Sequence, residues 1–262
     1  MSATKLSVGE LFSLQGKTVI CTGATGGIGQ EMCITLAEAG AEIVSIQVSD
    51  DPHAQVLSHR LESLGKSFRA FECDLRDASA MRQTFQVIWD AGVMPDILLN
   101  CAGVNRRGPI AQVTDEDLDL ILSINLKATY IASQEFSKRL LELQRPGKII
   151  NIGSVTSYRG MYNVSAYASS KGGVIQLTKA FSNEFARQGI QVNCICPGYI
   201  KTALTTQLEN DPEYNDFIIR GTPAGRWGTP DDLRGAVTFL ASPASDFVTG
   251  TGVVVDGGML GA

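Results

Sequence analysis

Seven short apolar runs alternate along the chain with stretches of helical spacing, and that rhythm restricts the available folds more than any other feature. The runs are "KTVICT" (17–22), "EIVSIQ" (42–47), "FRAFEC" (68–73), "DILLN" (96–100), "GKIINI" (147–152), "IQVNCI" (190–195) and "TGVVVDG" (251–257). Most lack polar alternation, so they suit strands covered on both faces. Between the early runs lie "QEMCITLAEAG", ending at the natural cap Gly40, a polar helix to about Leu64, and "ASAMRQTFQVIWDAG". A long helical pattern runs from Thr114 to Gln144 and opens on "TDED", with acids in its first turn. Thr229 and Pro230, followed by two aspartates, start another helix that reaches about Ala241. Strands alternating with helices define an α/β chain with a mainly parallel, seven-stranded sheet and helices on both faces. No internal repeat or linker interrupts the pattern. The expected organisation is an N-terminal extension over 1–15 and one domain over 16–262. Within that domain 198–228, rich in Gly, Pro and Thr, reads as a mobile substrate flap.

Composition removes several classes of function. With 262 residues, 44% hydrophobic and 19% charged, the chain matches a soluble globular protein. A net charge of −5 and the absence of any basic run argue against nucleic acid as a partner. The stretch "MSATKLSVGELFSLQGK" has no apolar segment of signal-peptide length, and nothing later approaches the ~20 apolar residues of a membrane span, so a cytoplasmic location and no membrane partner are expected. Six cysteines sit mostly in apolar runs, as free thiols do, and two histidines, His53 and His59, assemble no zinc-ligand spacing. No metal is expected.

"TGATGGIG" (22–29) joins the first strand directly to the first helix. Glycines at 23, 27 and 29 let backbone approach a pyrophosphate closely, and the helix N-terminus offers unpaired N–H groups with partial positive charge. The same turn also suits a tight connection that binds nothing. In "SAYASSK" (165–171), Tyr167 and Lys171 stand four apart, which on a helix puts phenol and ammonium on one face among small neighbours. A positive charge there favours phenolate over phenol, as proton-transfer chemistry requires. For the heptapeptide alone an ordinary amphipathic helix with a solvated lysine is the better account, and the rest of the chain decides between them.

These segments resemble the short-chain dehydrogenase/reductase family, a Rossmann-type doubly wound fold. The resemblance rests on the glycine turn, "CDL" with Asp74, "NCAG" (100–103) with Cys101 in place of a second Asn, "SIN" ending at Asn125, "NIGS" ending at Ser154, "YASSK" and "PGYIKT" (197–202), from about Gly16 to Gly258. It implies an NAD(P)-dependent oxidoreductase interconverting a secondary alcohol and a ketone. Tyr167 is then the acid or base, Lys171 holds the nicotinamide ribose and assists the phenol, Ser154 orients the reacting oxygen, and Asn125 belongs to a water-filled proton relay. The implied cofactor contacts are Gly23, Thr25, Gly27, Ile28, Gly29, Gln47, Asp74, Leu75, Asn100, Ala102, Gly103, Tyr167, Lys171, Pro197, Gly198, Ile200 and Thr202. The end of the second strand carries Gln47, Val48 and Ser49, neither an acid for a ribose 2′-hydroxyl nor a base for a 2′-phosphate. Either NAD or NADP fits, tilted to NAD by Asp50, which reaches the ribose if its loop bends back.

Arg106 and Arg107, after the fourth strand, suit a substrate carboxylate or phosphate, although two loop arginines are equally read as solvated. Met161, Tyr199 and Trp227 are candidate pocket walls. "AGVNRR", "TPAGRWGTPDDL" and "FLASPASDFVTGTGVVVDGG" are similar to the branch containing 2-deoxy-D-gluconate 3-dehydrogenase and gluconate 5-dehydrogenase, which implies a sugar acid or related polyol as substrate. "VDGGML" resembles the region through which many members form homotetramers. A ketoreductase for another small metabolite, acyl thioester or polyketide is the second enzyme reading. A non-catalytic dinucleotide-binding regulator is the reading from a different class, and it would be expected to lack one of the three proton-transfer residues.

Overall fold

The computed structural model describes residues 5–262. All seven apolar runs are strands: β1 (Thr18–Thr22), β2 (Glu42–Gln47), β3 (Phe68–Glu72), β4 (Ile97–Asn100), β5 (Gly147–Ile152), β6 (Ile190–Pro197) and β7 (Gly252–Val255). They form one sheet in the order β3-β2-β1-β4-β5-β6-β7, and every pairing is parallel. Helices α1 (Val8–Leu11), α2 (Gly27–Glu38), α3 (Ala54–Ser63), α4 (Ala78–Asp90), α5 (Asp115–Leu122), α6 (Ala128–Glu142), α7 (Ser165–Phe185), α8 (Thr206–Glu209), α9 (Pro212–Arg220) and α10 (Arg234–Ala241) complete the chain. No helix of the described residues is long and apolar enough to cross a membrane.

The unalternating strands explain the layering. In β1, Val19 and Cys21 face a core with Met32 and Leu36 of α2, while Ile20 between them faces a second core with Phe85 of α4 and Phe136 of α6. Successive strand side chains point to opposite faces, so a strand buried on both sides must be apolar throughout. Strand order reverses between β1 and β4, and in an open parallel sheet the crevice beyond the carboxyl ends at such a switch point is where ligands bind.

Two details depart from the sequence reading. The helical pattern over 114–144 is broken: a π-helical turn, Ser123–Lys127, separates α5 from α6 and places Asn125 at its centre. In the 198–228 segment, α9 begins on Asp211, whose side chain caps the backbone N–H groups of Glu213 and Tyr214, followed by a proline at the first helical position. The flap thus carries its own ordered helix.

Candidate active site

The glycine turn closes on itself by backbone alone. A Cβ at Gly29 would lie 2.0 Å from the Gly23 carbonyl oxygen, and one at Gly23, whose φ is +69°, would lie 2.6 Å from the Ala102 backbone. Only glycine fits either place. The N–H groups of Gly27, Ile28 and Gly29, in the first turn of α2, have no intrahelical acceptor and are available to an anion. From this turn a cleft of about 740 Å³ extends along the ends of β2 and β3, lined by Gly23, Thr25, Gln47, Asp74, Leu75 and, from the β4 loop, Ala102 and Gly103. The close backbone packing and the unpartnered helix N-terminus fit a dinucleotide pyrophosphate; bound there, a nicotinamide cofactor would accept or deliver hydride.

Asp50 does not reach this cleft. It takes up a positive φ of 54°, and that bend turns the next residue inward: Asp51 lines the cleft and its Oδ2 accepts from Thr25 Oγ1 at 2.6 Å. Asp74 is engaged by Arg76, whose Nε and terminal nitrogen donate to it at 2.9 and 2.6 Å, and the guanidinium and the Arg76 backbone N–H hold its carboxyl below the usual range. The Asn100 side chain donates to Ser133 Oγ of α6 at 3.0 Å and to Asn151 Oδ1 of the neighbouring β5 at 2.8 Å. Cys101, beside it, has its thiol pushed up to about 12 by burial. Thr202 lies against the glycine turn, 3.2 Å from where a Gly27 Cβ would stand. Pro197 ends β6, and Ile200 is buried in the core.

Ser154 and Tyr167 line one cavity of about 90 Å³ together with Arg107, Met161, Gly198 and Tyr199. Ser154 ends the β5 loop, where its Oγ accepts from the Thr156 N–H at 3.1 Å and stays fixed. Tyr167 and Lys171 share a face of α7, with the Lys171 ammonium 5.6 Å from the phenol ring centroid. Lys171 is 4% exposed and donates to the Ile152 carbonyl at 2.7 Å. The Asn125 amide is fully occupied: Nδ2 donates to Val104 O at 2.9 Å and Ser170 Oγ at 3.1 Å, and Oδ1 accepts from Val104 N at 2.8 Å. It joins the β4 loop to α7, across Gly103, where a Cβ would be 3.6 Å from both Asn125 Oδ1 and Lys171 Nζ. The arrangement can transfer a proton at one oxygen held between a serine hydroxyl and a phenol.

The two neighbouring arginines part company. Arg106 lines the nucleotide cleft, with Nε 3.7 Å from Asp117 Oδ1, and does not enter the cavity with Ser154. Arg107 does, and its guanidinium donates to Tyr214 Oη at 2.6 Å. Trp227 is not a wall but a support: buried, its Nε1 donates to Asn215 Oδ1 at 2.7 Å and its ring lies 5.4 Å edge-on from Tyr199. Tyr214 escaped the sequence reading. Its signal is "DPEYNDF", a capped helix start with Tyr214 and Phe217 three apart on one face.

A nucleotide cleft and a Ser154–Tyr167 cavity meeting at the carboxyl edge of a doubly wound sheet define a dinucleotide-dependent oxidoreductase. The family model described as Enoyl-(Acyl carrier protein) reductase matches residues 23–260, and the chain belongs to the short-chain dehydrogenase/reductase family, NAD(P)-dependent enzymes acting on CH–OH groups. It is 39% identical over 252 residues to the 2-dehydro-3-deoxy-D-gluconate 5-dehydrogenase of Pseudoalteromonas atlantica, covering 96% of this chain and 99% of the relative. The Bacillus subtilis protein of the same name is 40% identical, covering 96% of this chain and 97% of the relative. Among solved structures, a gluconate 5-dehydrogenase from Burkholderia cenocepacia in complex with NADP and tartrate superposes with a TM-score of 0.93 at 36% identity, covering 98% of this chain and 100% of that one.

Proposed function

We propose that the protein interconverts a secondary alcohol and a ketone on a sugar acid or closely related polyol. Tyr167 gives its phenolic proton to the carbonyl oxygen in reduction and takes the alcohol proton in oxidation. The Lys171 ammonium stabilises the negative charge that develops on the phenol oxygen. Ser154, fixed by Thr156, donates to the reacting oxygen and sets its position. Asn125, clamped between Val104 and Ser170, holds the wall of a proton relay behind Lys171. Arg107 binds the substrate carboxylate, and Met161 and Tyr199 flank the carbon chain. The observation that carries this reading is the shared cavity: a proton-transfer pair and a guanidinium without a carboxylate partner among the described residues line the same space.

For the cofactor, similar solved proteins and this chain's own residues point apart: three of those structures hold NADP, whereas one carboxylate here favours NAD. The Burkholderia enzyme holds NADP, but here Asp51 sets a carboxylate against the glycine turn, and Arg76, the cation nearest Asp74, is already neutralised by it. A carboxylate suits a ribose 2′-hydroxyl and repels a 2′-phosphate. A homotetramer is part of the same proposal. It is supported by the resemblance, by the open edge of β7 and by the complete exposure of Phe247 next to it.

Purified protein assayed with NADH and NADPH in parallel on D-gluconate, 2-deoxy-D-gluconate, their keto forms, acetoacetyl thioesters and bulky ketones tests the reading. The sugar acids should give the highest kcat/KM, and Tyr167→Phe should lower kcat by about 100- to 10,000-fold while nucleotide binding, followed by fluorescence titration, stays within about twofold. A thioester or bulky ketone turned over better than every sugar acid defeats the substrate reading, and full turnover by Tyr167→Phe defeats the mechanism.

A further inference from the structure

Arg107 differs from its neighbour in what holds it. Arg106 faces a carboxylate, which opposes its charge, whereas Arg107 is held by a phenol. Its guanidinium carbon lies 5.1 Å from the Tyr214 ring centroid and its terminal nitrogen 2.6 Å from the hydroxyl, while Tyr214 Oη and Tyr199 Oη stand 3.1 Å apart. No carboxylate lies within 4.0 Å of Arg107 among the described residues. Of the acids at the start of α9, Asp211 accepts from the Glu213 and Tyr214 N–H groups, and neither it nor Glu213 comes within 4.0 Å of the Arg107 guanidinium. A phenol can orient a guanidinium without cancelling its charge, because it is neutral, and this cation therefore keeps its full attraction for an anion.

Resting on the sugar-acid reading above, we propose that Tyr214 is a positioning residue for the substrate carboxylate. Through its hydroxyl, α9 of the flap presents Arg107 to the carboxylate of an open-chain hydroxy or keto acid whose reacting carbon lies at Ser154 and Tyr167. Tyr199 joins the two ends, because it lines the cavity and also meets Tyr214. Burial and Tyr214 keep the Tyr199 hydroxyl protonated and so able to donate, against the opposite pull of the Arg107 and Arg159 charges. Arg159 lines the adjoining groove beside Tyr214 together with the carboxylates of Asp211 and Glu213, so the groove is of mixed charge and the cation that faces the cavity of Ser154 is Arg107. A carboxylate entering here accepts two guanidinium N–H bonds and faces a phenolic O–H.

Tyr214→Phe keeps the ring over Arg107 and its contact with Phe217 and removes only the hydroxyl. Steady-state kinetics on D-gluconate and on neutral D-sorbitol, for wild type, Tyr214→Phe, Arg107→Gln and the double variant, test the proposal. Loss of one charge-assisted hydrogen bond should raise KM for gluconate about tenfold with kcat within about twofold. The rise should be larger for the charged substrate, so that the gluconate-to-sorbitol ratio of kcat/KM falls about tenfold in Tyr214→Phe, and the second substitution should add little once Arg107 is gone. An unchanged gluconate KM in Tyr214→Phe, or an equal rise for sorbitol, overturns the role of Tyr214. If wild type prefers gluconate and Arg107→Gln abolishes that preference while Tyr214→Phe retains it, only the present proposal falls. If wild type shows no preference for gluconate over sorbitol, the sugar-acid reading falls and takes this one with it.

Discussion

The two halves of the cleft are built from different materials. The nucleotide half is backbone: a glycine turn in which a single added carbon would collide at 2.0 Å, a helix N-terminus and the ends of three parallel strands. The substrate half is side chain: Arg107 from the β4 loop, and Tyr199, Tyr214 and Trp227 from a segment with short helices, joined through hydrogen bonds and ring edges. Backbone geometry is fixed by local sequence and tolerates no change of size. A cluster of side chains can be altered one contact at a time, which is how one fold serves many substrates.

Gly29→Ala should give the largest break in this comparison. Its methyl group meets a carbonyl oxygen that cannot move without opening the turn, so nucleotide affinity should fall by about 100-fold or more, read by isothermal titration, while the near-ultraviolet dichroism of the aromatic cluster is retained. Loss of the aromatic signal as well would show that the two halves are not independent. Asp51→Asn probes the nucleotide half more gently: removing the carboxylate that meets Thr25 should shift the NADP-to-NAD ratio of kcat/KM upwards by about tenfold, and an unchanged ratio would remove Asp51 from cofactor choice.

The smallest effect belongs to the support beneath the substrate half. Asp232 accepts from both terminal nitrogens of Arg226 and from the Thr229 N–H, and these bonds hold its carboxyl well below the usual range. A carboxyl depressed on folding contributes stability above its unfolded value of ~3.9, and that contribution is lost as pH falls towards the folded value. Asp232→Asn should therefore lower Tm by only about 1–3 °C at pH 7, with the gap to wild type narrowing below about pH 4. A gap that is constant with pH would mean the contribution is packing, not charge.

The same division governs what the sequence made legible. All seven strands and the glycine turn follow from periodicity and spacing within a few residues, because each is a local property of the chain; spacing also puts Tyr167 and Lys171 on one helix face, while their role comes from the resemblance. That Asp51 lines the cleft in place of the expected Asp50 was not legible, since it turns on one positive φ at residue 50. Nor was the parting of Arg106 from Arg107, which depends on Asp117 and on a tyrosine 107 positions away. Asn125 was recognisable as out of place in a helix, but the π turn that accommodates it leaves no compositional trace in "SINLK".

That turn also fixes the length of the chain at this point. A residue deleted between Ser123 and Lys127 would allow α5 and α6 to fuse into one regular helix, but each residue of an α-helix advances about 100° around its axis. The wide turn already takes up that one step, so Ile131, Phe136 and Leu140 would stay sealed against the sheet, and what would part is the join that Asn125 makes between Val104 and Ser170. The irregular turn therefore lets one helical arm fill the core while a single residue of it reaches across to the chemistry.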